Sequence, residues 1–219
     1  MEAIRTDEAT LRFEAESLRE PSLGDLKGNK KLNAAREDFR RALELCAINE
    51  EAHEYLAVLE WYDGNAAAAY YHIGAMQRQQ EKPEDAVVSL KMALDHDQRF
   101  APAIIELVLA YRELDQKQEA LEIAQAQEPE MAQLPEGEIA LGRVFLDEGN
   151  LTKAEKYLRS GLKKKPTDIP AMNDLFQIFK NKNTPMEGGD YFFSLGEGEE
   201  RTVANAYHHA ATFYRRAGD

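Results

Sequence analysis

Residues 135–168 read PEGEIALGRVFLDEGNLTKAEKYLRSGLKKKPTD. Two helical stretches are legible there, split at Gly149-Asn150 and closed by Lys165-Pro166. Within each stretch apolar residues recur three and four apart, the spacing of one buried helical face. Gly142 interrupts the first stretch. A glycine inside a helix costs about 1 kcal/mol relative to alanine, so this one must gain the close approach of a partner helix. Ala154 is the small residue suited to the other side of that crossing, and Leu141, Phe145 and Leu158 fill the space around it. One hairpin cannot bury such a stripe, so further hairpins must stack on it.

The same residues return upstream at one period. Ala86, Ala120 and Ala154 are spaced by 34, and Leu90, Ala124 and Leu158 follow each of them four positions later. Gly74 and Gly142 stand two such periods apart, with Val108 midway. Tyr111 and Phe145 share a further column, which Gln77 breaks. The period and columns resemble the tetratricopeptide repeat, a helix-turn-helix of about 34 residues. Residues 135–168 match best through Leu141, Gly142, Phe145, Gly149, Ala154, Leu158 and Pro166. Residues 67–100 match through Tyr70, Ile73, Gly74, Ala86, Leu90 and Ala93, and 101–134 through Leu107, Tyr111, Ala120 and Ala124. The resemblance implies an all-α fold, a right-handed α-α superhelix of stacked antiparallel helix pairs. Weaker echoes lie at both ends. Ala35, Phe39 and Ala42 fit a second helix, and Tyr207, Ala211, Tyr214 and Gly218 fit a first helix.

Composition agrees. The 219 residues include 31 alanines, and strict apolar/polar alternation, the strand signal, is nearly absent. Helices are expected near 7–19, 32–46, 50–63, 66–80, 84–96, 101–113, 117–127, 136–147, 151–164, 169–181 and 201–217. Three regions follow: 1–66 with a degenerate repeat and an extra helix, 67–168 with three in-register repeats, and 169–219 with a degenerate repeat. The stretch 50–63 is read as the extra helix or a phase break. The stretch 182–200 holds four of the chain's 13 glycines and no helical period, so it is read as an irregular insertion.

Function classes are narrowed by what is present. Net charge is −13 with a pI near 4.9 and no basic tract, which argues against nucleic acid. No apolar run approaches the ~20 residues of a membrane span. The opening MEAIRTDEATLRFE carries acids throughout and no apolar signal core, so the expected address is cytoplasmic. The lone Cys46 lies among apolar residues and is expected to be an inert buried thiol. Five histidines, His53, His72, His96, His208 and His209, are scattered without a catalytic or metal-ligating motif. No cofactor and no metal are expected, and no enzymatic activity. Asn150-Leu-Thr is read as a turn and helix start. Lys163, Lys164 and Lys165 close a helix, where cations complement its dipole. Glu197, Glu199 and Glu200 favour the start of the last helix for the same reason.

In the resembled family the first helices line a concave face. Beside the packed face through Gly74, that stripe is Tyr71, Ala75 and Arg78; the next units give Ile105, Leu109 and Arg112, then Ile139, Arg143 and Leu146, then Asn173, Gln177 and Lys180. Members that clamp a peptide's terminal carboxylate use Lys and Asn at such positions. Here Tyr71, Ala75, Glu106 and Leu109 stand there, so a co-chaperone role is disfavoured. The stripe is apolar at its centre and cationic at its edge, which suits a peptide or helix of another protein with apolar anchors and acidic flanks. Two other classes stay open: a sensor domain binding a small acidic ligand, and an accessory domain of a larger enzyme such as a glycosyltransferase.

Overall fold

A computed structural model describes residues 30–45, 49–197 and 203–218. Among them all regular structure is helical: α1 Lys30–Leu45, α2 Glu50–Tyr62, α3 Ala66–Gln79, α4 Pro83–His96, α5 Ala101–Glu113, α6 Lys117–Ala126, α7 Glu128–Met131, α8 Pro135–Asp147, α9 Leu151–Lys164, α10 Ile169–Lys182, α11 Pro185–Gly196 and α12 Val203–Gly218. The expected helices from 32 onward are found within a residue or two at each end. The one expected over 7–19, and Cys46, Glu199 and Glu200, lie outside the described residues.

The helix starts are built by short polar side chains and prolines. Asn49, Asn65, Asn150 and Asp168 each accept a hydrogen bond from a backbone N–H three positions on. That satisfies one of the free donors of the first turn, worth about 1 kcal/mol each. Asn150 therefore opens α9, as its sequence suggests. Pro83, Pro135 and Pro185 occupy first helical positions, where no N–H is needed.

The turn inside each pair recurs with the period. Glu81, Asp115, Gly149 and Asn183 all have φ between 54° and 83°, and each stands one period after the last. This left-handed backbone costs an ordinary L-residue roughly 1–2 kcal/mol, and glycine almost nothing. Asp115→Gly is accordingly expected to raise stability by up to about 1 kcal/mol, read as a higher denaturation midpoint. An unchanged or lower midpoint would count against strain at this turn.

Packing extends the repeat beyond 67–168. The small-residue column runs Ala52, Ala86, Ala120, Ala154 and Gly188, all buried. Four positions on, Leu56, Leu90, Ala124, Leu158 and Phe192 are each fully buried. In the first helices Tyr111, Phe145, Phe179 and Phe213 form one buried column. Four expectations are corrected by these positions. The segment 50–63 is no extra helix, because Ala52 and Leu56 make α2 an in-phase second helix. The segment with Ala35, Phe39 and Ala42, expected to fit a second helix, is then α1, the first helix before it. The segment 182–200 is not irregular, because α11 supplies a second helix over Pro185–Gly196. In the last helix the buried set is Ala206, Ala210 and Phe213, one residue off the expected Tyr207, Ala211 and Tyr214; Ala211 and Tyr214 are exposed.

The glycines of α11 explain its concealment. A Cβ on Gly188 would lie 2.8 Å from the Phe213 ring, and one on Gly189 2.8 Å from the Tyr214 ring. They are seats for aromatic rings of α12. Gly74 and Gly142 work the same way against leucines: an added Cβ would stand 2.6 Å from Leu90 Cγ and Leu158 Cγ. Gln77, which breaks the aromatic column, is buried and accepts a hydrogen bond from Ser89 of α4 at 2.7 Å.

Contacts divide the chain after Ala120, inside α6. In the first unit α1 packs on α2, α2 on α3, α3 on α4, and α5 on both α3 and α4. In the second unit α7 packs on α8, α8 on α9, α10 on α8 and α9, and α11 and α12 on each other and on α10.

Candidate interaction face

The stripe of the first unit lies on α3 and α5, which are in contact. Ala75 and Ile105 are 2% and 4% exposed, so they form the floor and present little surface to a partner. Tyr71 and Leu109 are half-buried, and Tyr71 sets its ring edge-on to Phe100 at 5.7 Å. Arg112 is half-buried beside them.

Arg78 is committed to its own chain. Its Nε donates to Glu106 Oε2 at 2.6 Å and its Nη1 to Glu113 Oε1 at 2.6 Å. Burial works against its charge, but Glu106 and then Glu113 outweigh that and raise its pKa above the ordinary arginine value. The pair joins the first helices of successive repeats.

The second unit repeats the device. Arg143 of α8 donates through Nε to Asp174 Oδ2 at 2.8 Å and through Nη2 to Asp168 Oδ1 at 3.4 Å. Ile139 is buried, and its Cγ1 would lie 2.7 Å from a Cβ on Gly161 of α9. Leu146 is half-buried, while Asn173, Gln177 and Lys180 are exposed along α10. Asn173 Oδ1 is 3.1 Å from His209 Nε2 of α12. Thus Tyr71, Leu109 and Arg112 form a half-buried surface on one unit, and Lys180 stands in the open on the other. Arg78 and Arg143 are structural fasteners, a role that sequence reading assigned to neither.

The histidines are not all scattered. His53 of α2 and His72 of α3 are buried together, with their rings tilted at 53° and their Nδ1 atoms 3.0 Å apart. Nineteen residues separate them in sequence. Only the correct phase of α2 would have brought them together on paper. Among the described residues no three His, Cys, Asp or Glu side chains gather as a metal site. No described helix is long and apolar enough to cross a membrane.

No protein-family model matches the sequence, and no curated protein matches it. Solved structures do. The tetratricopeptide-repeat protein YrrB, described as having an unusual peptide-binding site, is 17% identical; the match covers 84% of this chain and 85% of that one, with a TM-score of 0.53. PilF of Pseudomonas aeruginosa is 17% identical over 85% of this chain and 92% of its own, with a TM-score of 0.57. A tetratricopeptide repeat protein of Parabacteroides merdae is 18% identical over 97% of this chain and 74% of its own, with a TM-score of 0.55. The fold is that of the tetratricopeptide-repeat proteins. The common period, the small and large columns of the second helices and the left-handed turn inside each pair are thus features of one repeat. A hollow of about 360 Å³ in the first unit of this chain is lined by Gly64, Asn65, Ala66, Ala67, His96, Asp97 and Phe100, apart from the stripe residues.

Proposed function

We propose that the chain is a non-catalytic interaction scaffold that holds a peptide or helix of another protein against the first-helix face. The observation that carries this reading is the half-buried pair Tyr71 and Leu109 on the buried floor of Ala75 and Ile105. Partly exposed large side chains on a rigid floor are what an apolar anchor of a partner packs against. The peptide-binding description of YrrB, a structure of the same fold, supports the same reading. Acidic flanks on the partner contribute less than the charge pattern alone suggests. Glu106, Glu113, Asp168 and Asp174 already occupy Arg78 and Arg143, and a carboxylate from outside would have to displace them. A small acidic ligand meets the same obstacle.

The test uses peptides selected by display against the full chain, with affinities read by fluorescence polarisation. Leu109→Glu is expected to weaken binding at least about tenfold, the scale of a lost anchor, with no fall in melting temperature. Peptides that bind this variant as tightly as the parent chain would remove the proposal. The unaltered melting temperature separates a lost anchor from a lost fold.

A further inference from the structure

The seam between α2 and α3 encloses two imidazoles with nowhere to put a second charge. His53 and His72 are 4% and 8% exposed, and their facing Nδ1 atoms are 3.0 Å apart. At that distance one nitrogen donates and the other accepts, so the contact holds a single proton. A second proton would set N–H against N–H in a site without water-like screening. The charged groups acting on His72 are His53 from α2 and Arg40 from α1. Arg40 is held by Glu60 of α2 and Glu37 of its own helix. Tyr71, beside His72 on α3, sets its ring tilted against the imidazole with centroids 4.8 Å apart. From α4 and α5, which also pack on α3, no described charge acts on the imidazole.

We propose that this pair is an acid-operated latch: protonation of His72 opens the α2–α3 seam and releases α1 and α2 while the remaining helices stay folded. The proposal stands independently of the peptide-binding face.

Burial, then His53 and then Arg40 push His72 down to about 3. Once the seam opens, the ring meets water and titrates near its ordinary 6.5. The open state therefore binds the proton more readily. The closed state keeps its full advantage above pH 6.5 and loses it as pH falls toward 3. Between pH 7.5 and pH 5 the opening equilibrium should rise about thirtyfold.

The molecule carries its own reporter. Trp61, the one tryptophan, lies on α2 with its ring edge-on to Tyr70 of α3 at 5.5 Å. The experiment is segment-resolved hydrogen exchange on the full chain at pH 7.5 and 5.0, corrected for the pH dependence of exchange chemistry, with Trp61 emission alongside. Protection of 50–62 is expected to fall about thirtyfold, while 83–96 and 151–164 keep theirs and Trp61 emission moves to the red. His72→Phe should abolish the change. If that variant does not fold, His72→Gln, which keeps a polar partner for His53, carries the same expectation. The proposal is overturned by unchanged protection of 50–62 at pH 5, by an equal loss in 83–96 and 151–164, or by the full loss persisting in a folded His72 variant.

Discussion

Phe192→Ala is expected to destabilise the second unit by about 3–5 kcal/mol, the range for deleting a fully buried aromatic ring. The ring is completely buried, with centroids 5.0 Å from His209, 6.0 Å from Phe179 and 6.2 Å from Phe213. Those residues lie on α10 and α12, so Phe192 ties α11 to both neighbours. Aromatic pairs add roughly 0.5–1.5 kcal/mol each beyond the area buried. Surrounding rings of this size cannot collapse into the space left by a methyl group, which places the loss toward the upper part of the range. Denaturant unfolding followed by helical circular dichroism measures it. A loss under about 1 kcal/mol would mean that α11 contributes little to the array.

Gly142→Leu is expected to cost about 2–3 kcal/mol by the opposite mechanism, overpacking at a close helix crossing. The first added carbon alone would lie 2.6 Å from Leu158 Cγ and 3.1 Å from the Leu158 backbone nitrogen. The leucine side chain can shift, but the backbone of α9 must move with it to clear the second contact. Gly142→Ala should already lower the melting temperature, with leucine well below it. A melting curve unchanged by leucine would deny that α8 and α9 approach as closely as the structure has them.

The repeat was legible where small and large residues alternate in a contrasting background. Ala86, Ala120 and Ala154 stand out because bulky or polar residues flank them. Ala52 belongs to the same column, but Ala35, Phe39 and Ala42 fit a second helix in the segment before it and register with Gly74 makes 66–80 a first helix, which left 50–63 without a place in a pair. Gly188 belongs as well, yet it sits beside Gly189 in a segment whose composition signals a turn. What makes that segment a helix is the ring of Phe213 or Tyr214 against each glycine, a tertiary fact that local propensity does not contain.

The stripe was legible as positions and much less as chemistry. Helical spacing placed Tyr71, Ala75, Ile105, Leu109 and Ile139 on one set of faces, but how far each is covered depends on the helices stacked beside it. The arginines looked free because their acids lie in the next repeat, 28 and 35 residues on for Arg78 and 25 and 31 for Arg143. No pairing rule within a single helix spans such distances.

Amide hydrogen exchange of residues 185–196, compared with 151–164 at neutral pH, bears most directly on the claim that the repeat units continue past 168. Residues 185–196 are expected to be protected to within about tenfold of 151–164, because α11 is packed as a second helix against α10 and α12. Exchange over 185–196 at the rate of an unstructured peptide, with 151–164 still protected, would contradict it.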